Sequence, residues 1–164
     1  MRLRANTCNL VSTKPLVLVD GSSYLFRAFF AIPNLTNSDG HPTNAMLGVI
    51  NMLRRLLKDY DPEYCVVVFD AKGKNFRHEL YPEYKANRKP APPDFYAQIP
   101  ILQELLQSLG WPFYEADDYE ADDIMAALAK EAGTKGIESY LVTSDLDVLQ
   151  LVNEHTHIYT LKKG

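Results

Sequence analysis

Seven carboxylates stand where catalysis could use them. Asp20 ends an apolar run and Asp70 ends a second one. Glu120, Asp122 and Asp123 open a helical pattern, and Asp145 and Asp147 follow a fourth apolar run. Oxygen-only donors at this density suit Mg²⁺ or Mn²⁺, hard ions that prefer octahedral oxygen coordination. Cysteine and histidine are missing from the set, which argues against zinc. One Mg²⁺ seldom needs more than a few carboxylates, so seven point to two ions. Two ions ~3.5–4 Å apart can activate a water, grip a phosphodiester and stabilise the leaving oxygen. A single aspartate at a strand end also serves as a helix cap or turn residue. Acidic residues in a first helical turn are likewise favoured by the helix dipole. Four separate segment ends all presenting carboxylates are harder to attribute to capping. Asp117 and Asp118, just ahead of the third acidic group, read as a solvated loop.

A basic segment follows Asp70. Lys72, Lys74, Arg77, Lys85, Arg88 and Lys89 are opposed only by Glu79 and Glu83, with Phe76, Tyr81 and Tyr84 interleaved. Cations bind phosphates and aromatics stack on bases, the combination used for single-stranded nucleic acid. The competing reading is a solvated surface loop. Its start, two residues after Asp70, favours a basic loop projecting over the acidic edge. Arg27 lies near the same edge, placed to contact phosphate or to pair with a carboxylate. His155 and His157 share a strand face and read as an exposed strand end. Cys65 lies within a strand and reads as a small buried hydrophobe.

Strands are expected at 16–20, 64–70, 111–114, 139–143 and 156–161. The first and second are short apolar runs ending in Asp. Helices are expected at 24–31, capped by Ser22 or Ser23, and at 43–60, capped by Thr43 or Asn44. Further helices are expected at 98–109, with Ile101, Leu102, Leu105, Leu106 and Leu109 inward, and at 119–132, with Ile124, Ala127 and Leu128 inward. A short helix should run over 145–151. Residues 32–41 and 72–93 read as irregular. Alternating strands and helices predict an α/β fold, a mostly parallel five-stranded sheet with helices on both faces. Right-handed crossovers place every strand's C-terminal end on one edge, where ligands bind in such sheets. All seven carboxylates then fall on that edge.

The composition sets the outer bounds. The chain has 164 residues, enough for one domain. It is 46% hydrophobic and 23% charged, which excludes a disordered, collagenous or coiled-coil chain. No apolar run approaches a membrane helix, and the basic start lacks a signal peptide's apolar stretch. Two cysteines make no disulfide framework, so a reducing cytoplasm is expected. The net charge of -4 speaks against a non-specific nucleic-acid binder unless the acidic residues are concentrated for another purpose. Residues 1–14 read as a flexible extension and 15–164 as the domain.

These residues carry a family likeness. The stretches 18–28 (LVDGSSYLFRA), 35–38 (LTNS), 48–53 (GVINML), 67–77 (VVFDAKGKNFR), 84–88 (YKANR), 119–124 (YEADDI) and 143–147 (TSDLD) form its pattern. In combination the chain resembles the 5′-nuclease (flap endonuclease-like) family, the domain at the N-terminus of bacterial DNA polymerase I. The resemblance implies a PIN-like or resolvase-like N-terminal fold. It implies metal ligands, direct or through water, at Asp20, Asp70, Glu120, Asp122, Asp123, Asp145 and Asp147. It places Lys74 and Arg77 at the scissile phosphate and Arg27 on a phosphate. Lys85 and Arg88 would lie on a helical arch around the 5′ strand, within a DNA-binding set that includes Lys72 and Tyr84. The implied chemistry is Mg²⁺-dependent (or Mn²⁺-dependent) hydrolysis of DNA with a 5′ flap or nick, in primer removal and repair. An RNA primer–DNA hybrid and a polymerase domain or subunit are the implied partners. The family's helix–hairpin–helix region, which grips duplex DNA and completes a second metal site, is expected to be absent, and Asp118 stands where a glycine is common. A single-strand ribonuclease of the related compact fold and a DNA-binding fragment without activity are the alternatives.

Overall fold

The computed structural model describes residues 14–160. The expected extension and the last residue of the expected fifth strand fall largely outside them. Five strands form one sheet: β1 (Leu16–Asp20), β2 (Tyr64–Val68), β3 (Phe113–Tyr114), β4 (Ser139–Val142) and β5 (Thr156–Tyr159). Their order is β3-β2-β1-β4-β5 and every pairing is parallel. The chain builds outward from β1 to β3, then crosses back to β4 on the other side of β1. The β1–β4 seam is therefore the point where strand order reverses, the usual ligand crevice in such sheets.

Alternation along β1 assigns its residues to two cores. Val17 and Val19 join α1 (Gly21–Ala31), α2 (Asn44–Tyr60) and α4 (Pro93–Ser108) on one face. Leu18 joins α5 (Ala121–Thr134) and Val148 of the 3₁₀ turn Asp147–Leu151 on the other. The expected double-sided cover is present. No helix of the described residues is long and apolar enough to cross a membrane.

Several boundaries differ from expectation, each for a physical reason. Helix α1 begins at Gly21 because Asp20 itself is the cap: its Oδ1 accepts from the Ser23 amide at 2.9 Å. Only glycine fits after Asp20, since a Cβ there would lie 2.7 Å from Val67 Cγ1 and 2.9 Å from Phe69 Cε1. Helix α2 is capped neither by the Thr43 nor the Asn44 side chain. The fully buried Gln98 of α4 accepts from the Ala45 and Met46 amides at 3.0 and 3.2 Å and donates to Asn44 Oδ1. A remote side chain thus satisfies the amides that a helix start leaves orphaned. Helix α4 starts at Pro93 rather than 98, because proline is tolerated in a first helical turn. Ile101, Leu109 and Ala127 prove exposed, while Phe95, Met125 and Ala129 take the inward positions. Cys65 is only partly buried. Within the segment read as irregular, Phe76–Leu80 forms a short helix, α3.

Candidate metal and nucleic-acid site

Asp20 lies at the C-terminal end of β1, on the reversal seam, and is only 9% exposed. Across the seam Thr143 Oγ1 donates to its Oδ2 at 2.9 Å and in turn accepts from the Asp145 amide at 3.1 Å. Ser23 and Ser144 meet at 2.9 Å beside them. Burial is the main cause that pushes the Asp20 carboxyl up to about 6, and the negative charges of Asp70 and Asp145 add to it. The bonds from Ser23 and Thr143 oppose that shift. Asp70, after β2, is tied to both neighbouring helices. Its amide donates to Ser22 Oγ at 2.9 Å, and its Oδ1 accepts from the Ala121 amide opening α5 at 2.8 Å. The Asp147 amide donates to Asp145 Oδ1 at 2.9 Å, and both of these aspartates are exposed.

The opening of α5 is a different environment. Glu120 is also 9% exposed, yet it is surrounded by donors. Lys85 Nζ and Asn75 Nδ2 donate to its Oε1 at 2.6 and 2.7 Å, and Tyr84 OH donates to its Oε2 at 3.0 Å. Burial works against the Glu120 charge, but these donors more than offset it and hold its pKa below the ordinary carboxylate range. Arg77 forms a two-pronged pair with Asp123, both bonds 2.7 Å, geometry that a guanidinium and a carboxylate share. That pair lowers the Asp123 pKa and raises that of Arg77. Asp122 forms no ion pair among the described residues, and burial together with Asp123 and Glu120 raises its pKa against the smaller opposing pull of Arg77.

The basic segment therefore does not simply project from the edge. Its middle folds back onto α5, fixed by Arg77, Tyr84 and Lys85. Burial disfavours the Lys85 ammonium, while its bond to Glu120 more than compensates and leaves its pKa raised. Lys85 holds this position with φ +56°, the left-handed region that costs a non-glycine residue ~1 kcal/mol or more. Asp118, where the resemblance expects glycine, has φ +69°. Lys72, Lys74 and Arg88 are exposed, and Arg27 is half-buried on α1; none of the four forms an ion pair among the described residues. His157 packs on the Tyr140 ring at 5.1 Å, away from this edge.

All seven carboxylates expected from the sequence thus belong to the C-terminal edge of the sheet or the helix and turn beside it. Among the described residues, no three of them close into a group able to enclose one ion. Their donor chemistry nevertheless fits a hard divalent cation: oxygen atoms only, with a buried Asp20 whose charge is opposed by Asp70 and Asp145. Sequence reasoning missed Asn75, Ser22 and Thr143. Ser22 and Thr143 each stand two residues from a candidate aspartate, Asp20 and Asp145, and Asn75 lies between Lys74 and Arg77, so proximity in sequence was the available signal.

Known proteins share this architecture. The bacteriophage T5 5′-exonuclease, in a structure described as holding divalent metal ions (zinc), superposes with a TM-score of 0.73, covering 90% of this chain and 55% of that one at 23% identity. That likeness concerns the fold. DNA polymerase I of Bacillus caldotenax is 44% identical over 92% of this chain, which spans 17% of the polymerase. The 5′-3′ exonuclease of Aquifex aeolicus is 45% identical over 87% of this chain, which spans 49% of that enzyme. The 5′-3′ exonuclease, N-terminal resolvase-like domain pattern matches residues 15–164. With this sheet order, this acidic edge and these relatives, the chain belongs to the 5′-3′ exonuclease N-terminal resolvase-like domain family.

Proposed function

We propose that this chain carries the catalytic portion of a divalent-metal-dependent 5′ nuclease that hydrolyses phosphodiesters of DNA with a 5′ flap or nick. The observation that carries the reading is the placement of the acidic edge at the strand-order reversal, with the basic segment folded against it. Asp20, Asp70, Asp145 and Asp147 on one side, and Glu120, Asp122 and Asp123 on the other, would hold Mg²⁺ or Mn²⁺. The chemistry that such ions supply when bound is Lewis-acid polarisation of a phosphate oxygen and acidification of an attacking water. Lys74 and Arg77 would bind the scissile phosphate. Arg27, Lys72, Lys85 and Arg88 would bind flanking phosphates, and Tyr84 would lie along the strand. Cations bind phosphate without regard to sequence, so the shape of the DNA rather than its bases would select the site. An RNA primer–DNA hybrid is a further substrate, and a polymerase domain is the expected partner.

Arg77 and Lys85 have two roles in this reading. Each now neutralises a carboxylate that would bind metal, and each is a phosphate ligand. With a cation held by those carboxylates, both side chains would be available to the substrate. The test is cleavage of a labelled 5′-flap DNA with Mn²⁺, beside an Asp122→Asn control. Cutting that the control abolishes supports the proposal. Equal cutting of single-stranded RNA, or cutting that survives in the control, overturns it.

A further inference from the structure

We propose that Asn75, braced by His78, is a positioning residue that orients Glu120 for a metal ion. The inference rests on the reading of Glu120 as a metal ligand. Asn75 precedes α3 in a segment that is otherwise largely exposed, yet it is only 6% exposed itself. An asparagine at a helix start commonly turns its side chain onto the helix's own amides. Asn75 does so in a capping box with His78, and its side-chain NH₂ group in addition donates to Glu120 Oε1 at 2.7 Å. An ionised carboxylate only accepts, so the NH₂ group faces Glu120 and the carbonyl oxygen faces away. That oxygen lies 2.6 Å from His78 Nδ1, and the same ring nitrogen lies 3.1 Å from the Asn75 amide nitrogen. The imidazole packs on the Tyr84 ring, centroids 5.4 Å apart. A single ring nitrogen makes one of these contacts at a time: as N–H it donates to Oδ1 and holds the side chain, and without that proton it accepts from the Asn75 amide.

The three donors on Glu120 differ in what an arriving cation does to them. Lys85 is a positive point charge on a flexible stem and is repelled. Tyr84 donates to the other oxygen, Oε2. Asn75 is neutral and buried, so it keeps its bond. A carboxylate has about four lone-pair sites, which leaves room for an ion while one site stays on Asn75. A bond of this type fixes the direction of a ligand carboxylate, and its loss typically lowers metal affinity ~10–100-fold.

The experiment titrates Mn²⁺ into the wild-type chain, Asn75→Ser and Asn75→Asp, reading free Mn²⁺ by electron paramagnetic resonance. Flap-cleavage kcat and KM are measured alongside. Serine and aspartate are both good helix caps, so α3 keeps its start. Serine is too short to reach Glu120, and aspartate has no proton to donate. Asn75→Ser should need ~10–100-fold more Mn²⁺ for half-saturation. Saturating Mn²⁺ should restore kcat in Asn75→Ser while KM for DNA stays unchanged. Wild-type Mn²⁺ affinity in both variants would overturn the inference and leave Asn75 as a cap, as would a change confined to KM. Absence of Mn²⁺ binding by the wild-type chain would instead overturn the metal-site reading beneath it.

Discussion

Asp20 and Glu120 sit on the same edge of the sheet, each with little exposed surface, and are driven in opposite directions. Asp20 is buried against a strand seam with hydroxyl and amide donors but no cation, so its charged form is disfavoured. Glu120 is buried beneath a lysine, a tyrosine and an asparagine, so its charged form is favoured. Asp122 and Asp123 repeat the contrast one residue apart, since Arg77 hydrogen-bonds Asp123 and acts on Asp122 only from a distance. Deep burial sets the direction at Asp20, and the donors and cation that share the site set it at Glu120. The edge divides into a part short of positive charge and a part already supplied with it. A cation entering the first part adds charge that is missing there. A cation entering the second competes with Lys85 and Arg77.

The sharpest way to break this contrast is Asp20→Asn. It removes the uncompensated charge and a proposed ligand together. Flap cleavage in Mn²⁺ should fall more than ~100-fold, beyond the loss typical of a residue that only supports a ligand. The apo variant should melt higher than the wild-type chain at pH 7, which thermal denaturation reads directly. A lower melting temperature would mean that Asp20 is not a cost to the fold.

The pH dependence follows from the same residue. The folded Asp20 pKa of about 6 lies above its ordinary 3.8, so the folded chain binds this proton more tightly than the unfolded chain. Stability therefore falls as pH rises from ~4 to ~6, and above that the full cost of about 3 kcal/mol is present. Glu120 and Asp123 act with the opposite sign. Their stabilisation is present above the ordinary carboxylate range and is lost as pH falls below it. Chemical denaturation of the apo chain should show stability rising from pH 7 to about 5 and declining below about 4. Saturating Mn²⁺ should raise stability at pH 7 by mass action and flatten the upper limb. A monotonic decline from pH 7 downward would contradict the assignment.

Lys85→Met tests the other half. It leaves Glu120 shielded without its cation, and apo stability should drop by ~1–2 kcal/mol. The drop should shrink in Mn²⁺, because an ion then substitutes for the ammonium. An equal drop with and without Mn²⁺ would separate Lys85 from the metal site. The smallest effects belong to the exposed cations outside both halves. Lys74→Ala and Arg88→Ala should each change stability by less than ~0.5 kcal/mol. Each should reduce the salt slope of flap-DNA binding by ~1, measured by anisotropy in a salt series.

Much of this was legible in the chain. The β-branched runs ending in Asp20 and Asp70 identify parallel strands whose ends carry carboxylates, because burial on both faces writes a continuous apolar run. Helical periodicity over 44–60 locates α2 for the same local reason. The sign of each carboxylate's ionisation was not legible. Lys85 reaches Glu120 across 35 positions, from a segment without apolar periodicity and through a left-handed backbone that a lysine rarely adopts. Gln98 caps α2 from 53 positions away, so a polar residue in an apolar stripe gave no sign of its role. The face of α4 was misplaced at Ile101 and Leu109 because proline at the helix start hid its first turn.

The sequence by itself determined the alternation of strands and helices, the α/β class and the seven strand-end and helix-start acids. Those features depend on residues within a few positions of one another. Only the tertiary structure decided that β4 returns to lie beside β1, which brings Thr143 onto Asp20, and that the basic segment closes on α5 rather than extending into solvent. Those outcomes depend on contacts between distant segments, whose energies no local pattern encodes.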